Sequence, residues 1–485
     1  MPFAKRIPTT LAAILLSASL MFSPSVSNAG GVPAESPDSA LRSAPRAAAG
    51  RCFATLYQGS LQLYGHYARP GDSHRFGSIQ RFMANSRGAI RLDWTTWGDG
   101  DTSRVPETFL LANGVVYHRE APNASWETLQ GEPEAIARMH LLAGYPWEFL
   151  RDPRAHPSDS LEVAPGSGLP AVLVRTHAHP RLGDVRDEVR FDFATDKRLP
   201  AGVRDSLPAL LSLRMYERDQ DWWLLSRLVS HRDAADSESL LAPPGVPRPT
   251  PAESDRLERI PDPRRVADGI WSLDMEDLDS RSLVAEFEDH VAVIEAAVSS
   301  ANGERIVDAV KRKWPHKPIR YFLFSHHHPH YTGGLRAFIA EQALIVTTRG
   351  NQEFIGQVHR YPFTLVPDRQ ARVDEPLRQD TFTGRYELQD RTNHLIALDI
   401  GARSDHTDEF VVFWFPRQRL VFETEQGWVT VDGKLRASRR AEKFMKTLAE
   451  EGIEPDRLIQ SWPMRGNRAE LTRAELDSLI LARKP

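Results

Sequence analysis

Residues 319–334 read Ile-Arg-Tyr-Phe-Leu-Phe-Ser-His-His-His-Pro-His-Tyr-Thr-Gly-Gly. An apolar run thus ends directly in four histidines within five positions, followed by a glycine pair. The run has the length and composition of a buried strand. In extended backbone, residues two apart point to the same side, so His326 and His328 present both imidazoles together. Pro329 stops the strand, and Gly333-Gly334 lets the chain turn into a helix. Two neutral nitrogen ligands then stand at the C-terminal end of a strand, where α/β proteins build their sites. A polar loop with accidental histidines is the plainer reading, but so dense a cluster beside an apolar strand argues against it.

The rest of the composition narrows the setting. A chain of 485 residues points to two domains. Lys and Arg number 61 against 65 Asp and Glu, a net charge of −4, so no basic excess is present to hold a nucleic-acid backbone. The single cysteine, Cys52, excludes a disulfide framework and any Cys-rich zinc module. With 17 histidines in the chain, imidazole is the side chain left to carry chemistry.

The N-terminus has the order of a secretory signal peptide: Lys5 and Arg6, an apolar run from Leu11 to Phe22, then Ser27-Asn28-Ala29. Residues 1–29 are expected to be removed on export to a periplasmic or extracellular location. No later segment is apolar enough to span a membrane. Residues 30–50, rich in Ala, Pro, Ser and Gly, read as a flexible leader.

Residues 51–240 read as an antiparallel β domain with one or two helices, including a hairpin turning at Asn113-Gly114 and a helix over Glu132–Leu150. With Phe191-Asp-Phe-Ala-Thr-Asp-Lys-Arg-Leu-Pro200 reading as a strand–turn–strand, it loosely resembles the lipoprotein-carrier type of periplasmic domain. Five prolines within 241–251 mark a linker, taken as 241–263. Residues 264–485 alternate strands and helices at short intervals, as α/β and α+β domains with helices covering sheets do. Helices are expected over Gly303–Trp314, Gly333–Glu341, Asn351–His359, Ser438–Glu450 and Arg473–Leu481. Strands are expected over Ser282–Phe287, His290–Glu295, Ile319–Phe324, Leu344–Thr348, His394–Ile400, Phe410–Phe415, Leu420–Thr424 and Arg457–Gln460. His177 and His179 share a spacing with the main cluster but lack the glycine pair, so they are set aside. Asn123-Ala-Ser125 fits a glycan acceptor, a pattern frequent by chance.

Ser325 to Gly334 resembles, without a gap, the Thr-His-x-His-x-Asp-His-x-Gly-Gly segment of the metallo-β-lactamase superfamily of metallohydrolases. Further segments match in order: 291–299, 406–416, 420–425 and 458–466. The resemblance implies an αββα sandwich over the C-terminal half and a first metal site of His326, His328 and His406 with one open position. It also shows departures. His330-Tyr331 stands where the family has Asp-His, Glu425 where it has the bridging Asp, and Arg465 where it has the last His. One ion per chain is therefore expected, with Arg465 pairing with Glu425 in the vacated second site.

Zinc suits three imidazoles, and iron, copper or nickel also fit. His330 would act as base or ligand, and Tyr331 as a donor to a developing oxyanion. The implied function is an exported hydrolase that acts with a metal-activated water on a small ester, lactone, amide or phosphoester. Two alternatives stand beside it: a binding or scaffolding protein that kept the fold without the chemistry, and a periplasmic carrier of apolar ligands. The expected partner is a small molecule rather than nucleic acid or membrane. The sequence leaves the oligomeric state open.

Overall fold

Ile90, Leu92 and Trp94 are buried and alternate with half-exposed Arg91 and Asp93, the period-two pattern of a strand with one face in a core. Strands of this kind dominate the first part of the chain. The computed structural model describes residues 52–64, 68–70, 73–85, 88–97, 106–129, 134, 137, 141, 159–163, 170–179, 183–192, 209–214, 222–234, 238–247, 262–276, 278–436 and 438–481. The expected signal peptide (1–29), the leader (30–50) and most of the linker lie outside these residues. Within the expected helix over 132–150, the described residues Glu134, Ala137 and Leu141 are helical. The chain divides into two units, one of residues 1–64, 73–177 and 185–254, the other of 65–72, 178–184 and 255–485.

The N-terminal unit contains β1 (Cys52–Tyr64), β2 (Ser73–Asn85), β3 (Ile90–Trp97), β4 (Glu107–Ala112), β5 (Val115–Arg119) and β6 (Glu127–Thr128). After them come β7 (Asp159–Val163), β8 (Pro170–His179), β9 (Gly183–Asp192), β10 (Ala209–Arg214) and β11 (Trp222–Ala234), with only residues 178–179 of β8 and 183–184 of β9 assigned to the other unit. Seven of these strands form one sheet in the order β11-β1-β2-β3-β4-β5-β6, and four form a second in the order β10-β9-β8-β7. The β4–β5 hairpin turns through Asn113 and Gly114, both at positive φ (51° and 79°). A two-residue turn of that hand matches strand twist and favours Asn-Gly.

The C-terminal unit begins with β12 (Arg264–Ala267), β13 (Ile270–Met275), β14 (Ser280–Glu286) and β15 (Val291–Ile294), joined antiparallel. Helix α1 (Ser300–Lys313) then crosses to β16 (Ile319–Leu323), which lies parallel to β15. Ser299 caps α1 by accepting from the Asn302 amide at 3.2 Å, satisfying an orphan N–H of the first turn. Next come α2 (Pro329–Thr332), α3 (Leu335–Ala340), β17 (Leu344–Thr348), α4 (Gln352–His359), α5 (Arg369–Val373) and β18 (Gln379–Phe382). The first sheet thus runs β12 to β18 in sequence order. A second sheet holds β19 (Arg385–Gln389), β20 (His394–Asp399), β21 (Val411–Phe415), β22 (Leu420–Glu423), β23 (Arg457–Gln460) and β24 (Glu470–Thr472), also in order. Helix α6 (Ser438–Glu450) lies between β22 and β23 in sequence, and α7 (Arg473–Leu481) closes the unit.

The two sheets face each other across one apolar core. Leu283, Ala285, Ile294 and Leu323 from the first sheet meet Ala397, Val411, Phe413 and Phe422 from the second. The far face of the second sheet, with Ile396, Leu398, Val412 and Val421, is covered by Ala441, Phe444, Met445 and Leu448 of α6. The first sheet is backed by α1 packed on α3, and α3 on β16 and β17. The unit is an αββα sandwich of mixed sheets. Alternate residues of each strand serve the inner core and the outer helices, so burial on both faces follows from the layering.

Two glycines fix how closely α1 approaches the histidine loop. A Cβ on Gly303 would sit 2.2 Å from the Gly334 carbonyl oxygen, and one on Gly333 would sit 2.2 Å from the Val298 carbonyl carbon. The glycine pair of the motif is therefore a packing requirement, which brings the chain at 328–334 against the start of α1.

A four-donor candidate metal centre

Strand β16 ends at Leu323, and its continuation is held from behind. The Ser325 amide donates to Glu295 Oε1 at 3.1 Å, a buried carboxylate whose own residue has φ +70°. Ser325 Oγ lies 3.0 Å from His326 Nδ1 and 3.2 Å from Thr424 Oγ1. A partner on Nδ1 orients the ring and leaves Nε2 to face inward. His326 is wholly buried and stacks on Phe410 with ring centroids 4.8 Å apart. His328, also buried, brings its Nδ1 to 3.0 Å from His326 Nε2.

The other two groups come from the second sheet. His406 follows a tight turn in which Ser404 Oγ accepts from the amides of His406 and Thr407 at 3.2 and 3.3 Å. Glu425 follows β22 in the left-handed region (φ 51°). Its Oε2 is 3.0 Å from His406 Nε2, and its Oε1 is 3.9 Å from both His326 Nε2 and His328 Nδ1. The four donor atoms all lie within 4.8 Å of one another. A tetrahedral ion with bonds of about 2.0–2.2 Å requires donors about 3.3–3.6 Å apart. The separations run from 3.0 Å to as much as 4.8 Å, on both sides of that value, so the chemistry of three imidazoles and a carboxylate suits a divalent ion while the set is looser than a closed tetrahedron.

Burial, followed by the charges of His328 and His406, pushes His326 well below the usual histidine range. It is therefore neutral near pH 7, as a ligand must be. Burial alone would push Glu425 up; the charge of His406 and the contacts with His328 and His406 outweigh it and hold the carboxyl well below the usual range. Tyr331 donates its hydroxyl to Glu425 Oε1 at 2.8 Å. Burial and the neighbouring carboxylates Glu425 and Glu295 push that phenol well above its ordinary value, so it keeps its proton.

The structure brings together His326, His328, His406 and Glu425, with Tyr331 hydrogen-bonded to Glu425. It corrects three expectations. The fourth position beside the three histidines is faced by Glu425 rather than left open. His330 stays out of the donor set: it is buried with its ring against Trp462, centroids 4.5 Å apart. Pro329 starts the short helix α2 there, which turns the chain away from the extended alternation that aligns His326 with His328.

Arg465 does not pair with Glu425. Its amide and that of Met464 both donate to Asp279 Oδ1, and its guanidinium reaches the Glu276 carbonyl, so the exposed side chain is anchored to the 276–279 turn. The guanidinium beside Glu425 belongs to Arg440, whose Nη1 donates to the Glu425 carbonyl at 2.7 Å and lies 3.5 Å from Oε2. Arg440 carries no local sequence signal; only the fold of α6 brings it there. His177 and His179 fall on β8, and their side chains lie outside the described residues.

No family model matches the chain, and no curated protein matches it in sequence. Solved structures do. A metallo-beta-lactamase from Pontibacter korlensis is 12% identical, covering 46% of this chain and 99% of its own, at a TM-score of 0.34. The mono-zinc form of the metallo-beta-lactamase FIM-1 from Pseudomonas aeruginosa is 16% identical, over 46% of this chain and 97% of its own, at 0.34. A flavodiiron protein from Giardia intestinalis is 11% identical, over 46% of this chain and 58% of its own, at 0.33. Metallo-beta-lactamases are thus among the solved structures to which this chain is similar.

Proposed function

We propose that the chain is an exported, metal-dependent hydrolase with a mononuclear zinc centre, acting on a small ester, lactone, amide or phosphoester. The observation that carries the reading is the set of four buried or nearly buried donors, His326, His328, His406 and Glu425, gathered within 4.8 Å of one another. A bound divalent ion would supply Lewis acidity toward an acyl or phosphoryl oxygen and toward water. The chain's own contribution is orientation and proton handling. Ser325 fixes the His326 ring, and the Phe410 face keeps it from turning. Glu425 is the carboxylate that faces the imidazoles, so it would help to hold the ion, and its Oε2 is the chain's own group placed to accept a proton. Tyr331 holds the other oxygen through a hydroxyl that stays protonated.

A second reading has its own observation. With Glu425 in place the donor set is complete, the layout of a closed metal site that binds without catalysing. Turnover separates the two. Metal-loaded protein is assayed against ester, lactone, β-lactam and phosphodiester panels, with His326→Ala and His406→Ala as controls. Hydrolysis that both variants abolish supports the enzyme; metal binding without turnover of any class supports the closed site. A protein that retains no divalent ion loses both readings. Export is tested by N-terminal sequencing of the mature chain, with a start just past Ala29 expected.

A further inference from the structure

We infer that Arg440 limits the centre to one divalent ion by holding a fixed positive charge against the main-chain carbonyl and Oε2 of Glu425. The inference rests on the metal-centre reading above. A carboxylate between two cations shares its oxygens between them; here the claims on each oxygen are visible. Oε1 accepts from Tyr331 at 2.8 Å, and Oε2 lies 3.0 Å from His406 and 3.5 Å from Arg440. Nη1 of Arg440 is also tied to the Glu425 carbonyl at 2.7 Å, so main chain and side chain of one residue hold the guanidinium in place. Its neighbours on α6 are committed elsewhere: Arg439 and Lys443 both pair with Asp405. A guanidinium cannot lose its proton, so this positive charge persists at every working pH. A second dication on Glu425 would be placed beside that fixed charge in a region where Glu425 is only 7% exposed. Repulsion between poorly screened charges opposes it. One dication, one carboxylate and one guanidinium complete the centre.

The test is titration of metal-free full-length chain with Zn(II) by calorimetry, and with Co(II) by visible absorption. Wild type is expected to saturate at one equivalent with a single spectral form. Arg440→Ala is expected to take up a second equivalent, more weakly than the first. Arg440→Lys keeps the charge and is expected to stay at one. Tyr331→Phe frees Oε1 without changing charge and is also expected to stay at one. Circular dichroism establishes that each variant is folded, and the Lys and Phe variants keep the test informative if the Ala variant is not. Two tight equivalents in wild type, or a single equivalent of unchanged affinity in folded Arg440→Ala, overturns the inference and leaves the metal-centre reading standing. Absence of any binding in wild type overturns the metal-centre reading and this inference with it.

Discussion

Tyr331 donates its hydroxyl to Oε1 of Glu425 over 2.8 Å, and both side chains are buried. The phenol anchors Oε1, which lies near His326 and His328 while Oε2 meets His406. Removing it in Tyr331→Phe leaves a charged oxygen short of a donor. Loss of a hydrogen bond to a charged group costs about 1.5–3 kcal/mol. Loss of a partner behind a ligand lowers metal affinity by about 10–100-fold. Thermal unfolding of metal-free protein measures the first and Zn(II) competition with a chelator the second. An unchanged affinity would show that Glu425 is positioned without Tyr331.

His326→Ala and His406→Ala delete ligands outright, and each is expected to weaken Zn(II) binding by more than about 100-fold. Their effects on stability should differ. His326 is wholly buried against Phe410, whereas His406 keeps 13% of its side chain exposed. The cavity left by His326→Ala therefore costs more unfolding free energy. Equal losses of stability would mean that the burial difference has no energetic weight. Retained binding in either variant would remove that histidine from the centre.

Much of this was legible in local sequence because the signals were local. The two-residue spacing of His326 and His328 after an apolar run sets both rings on one side, and β16 with its continuation places them so. The helix read over 303–314 is α1, Ser300–Lys313, and the strand read over 410–415 is β21, Val411–Phe415. What local pattern cannot give is the partner across a fold. Arg440 meets Glu425 through the first turns of α6, and Arg465 is claimed by Asp279, a residue 186 positions earlier. No spacing rule distinguishes two arginines both downstream of one glutamate. The hairpin of β12 and β13, around Asp268 and Gly269, was likewise not among the expected strands, although Gly269 (φ 70°) marks its turn.

Two glycine-to-alanine changes are expected to move stability in opposite directions. In Gly303→Ala the new Cβ meets the backbone of Gly334 at 2.2 Å, which cannot give way without displacing the loop after His328. Overpacking of that kind costs about 1–3 kcal/mol or more, and metal affinity should fall with it. In Gly356→Ala, inside α4, the nearest atom is the flexible end of Arg360 at 3.3 Å. A glycine in a helix interior costs about 0.5–1 kcal/mol relative to alanine, so this change should raise the melting temperature. Both are read by thermal unfolding. A neutral Gly303→Ala would mean that α1 and the histidine loop are not in rigid contact.

The N-terminal unit carries its own pH test. His118 on β5 is 1% exposed and lies between Glu107 Oε1 at 2.6 Å and Glu127 Oε1 at 2.8 Å. Burial alone would lower its pKa, but hydrogen bonds to the two carboxylates outweigh it and raise the imidazole to about 9. A histidine with a folded value above the unfolded 6.5 binds its proton more tightly when folded. Its stabilisation is therefore fully present below about pH 6.5 and is lost as pH rises through about 9. The upper bound of the effect is about 3 kcal/mol. Burial raises the Glu107 carboxyl in spite of His118, so the cost of burying that carboxylate offsets part of the pair's net stabilisation, while its own pH dependence has the same sign. Denaturant unfolding from pH 6 to pH 10 should show the N-terminal unit weakening over that window. In His118→Gln, which has no imidazole to titrate at this position, the slope should vanish. The same slope in His118→Gln would assign the pH dependence to another group.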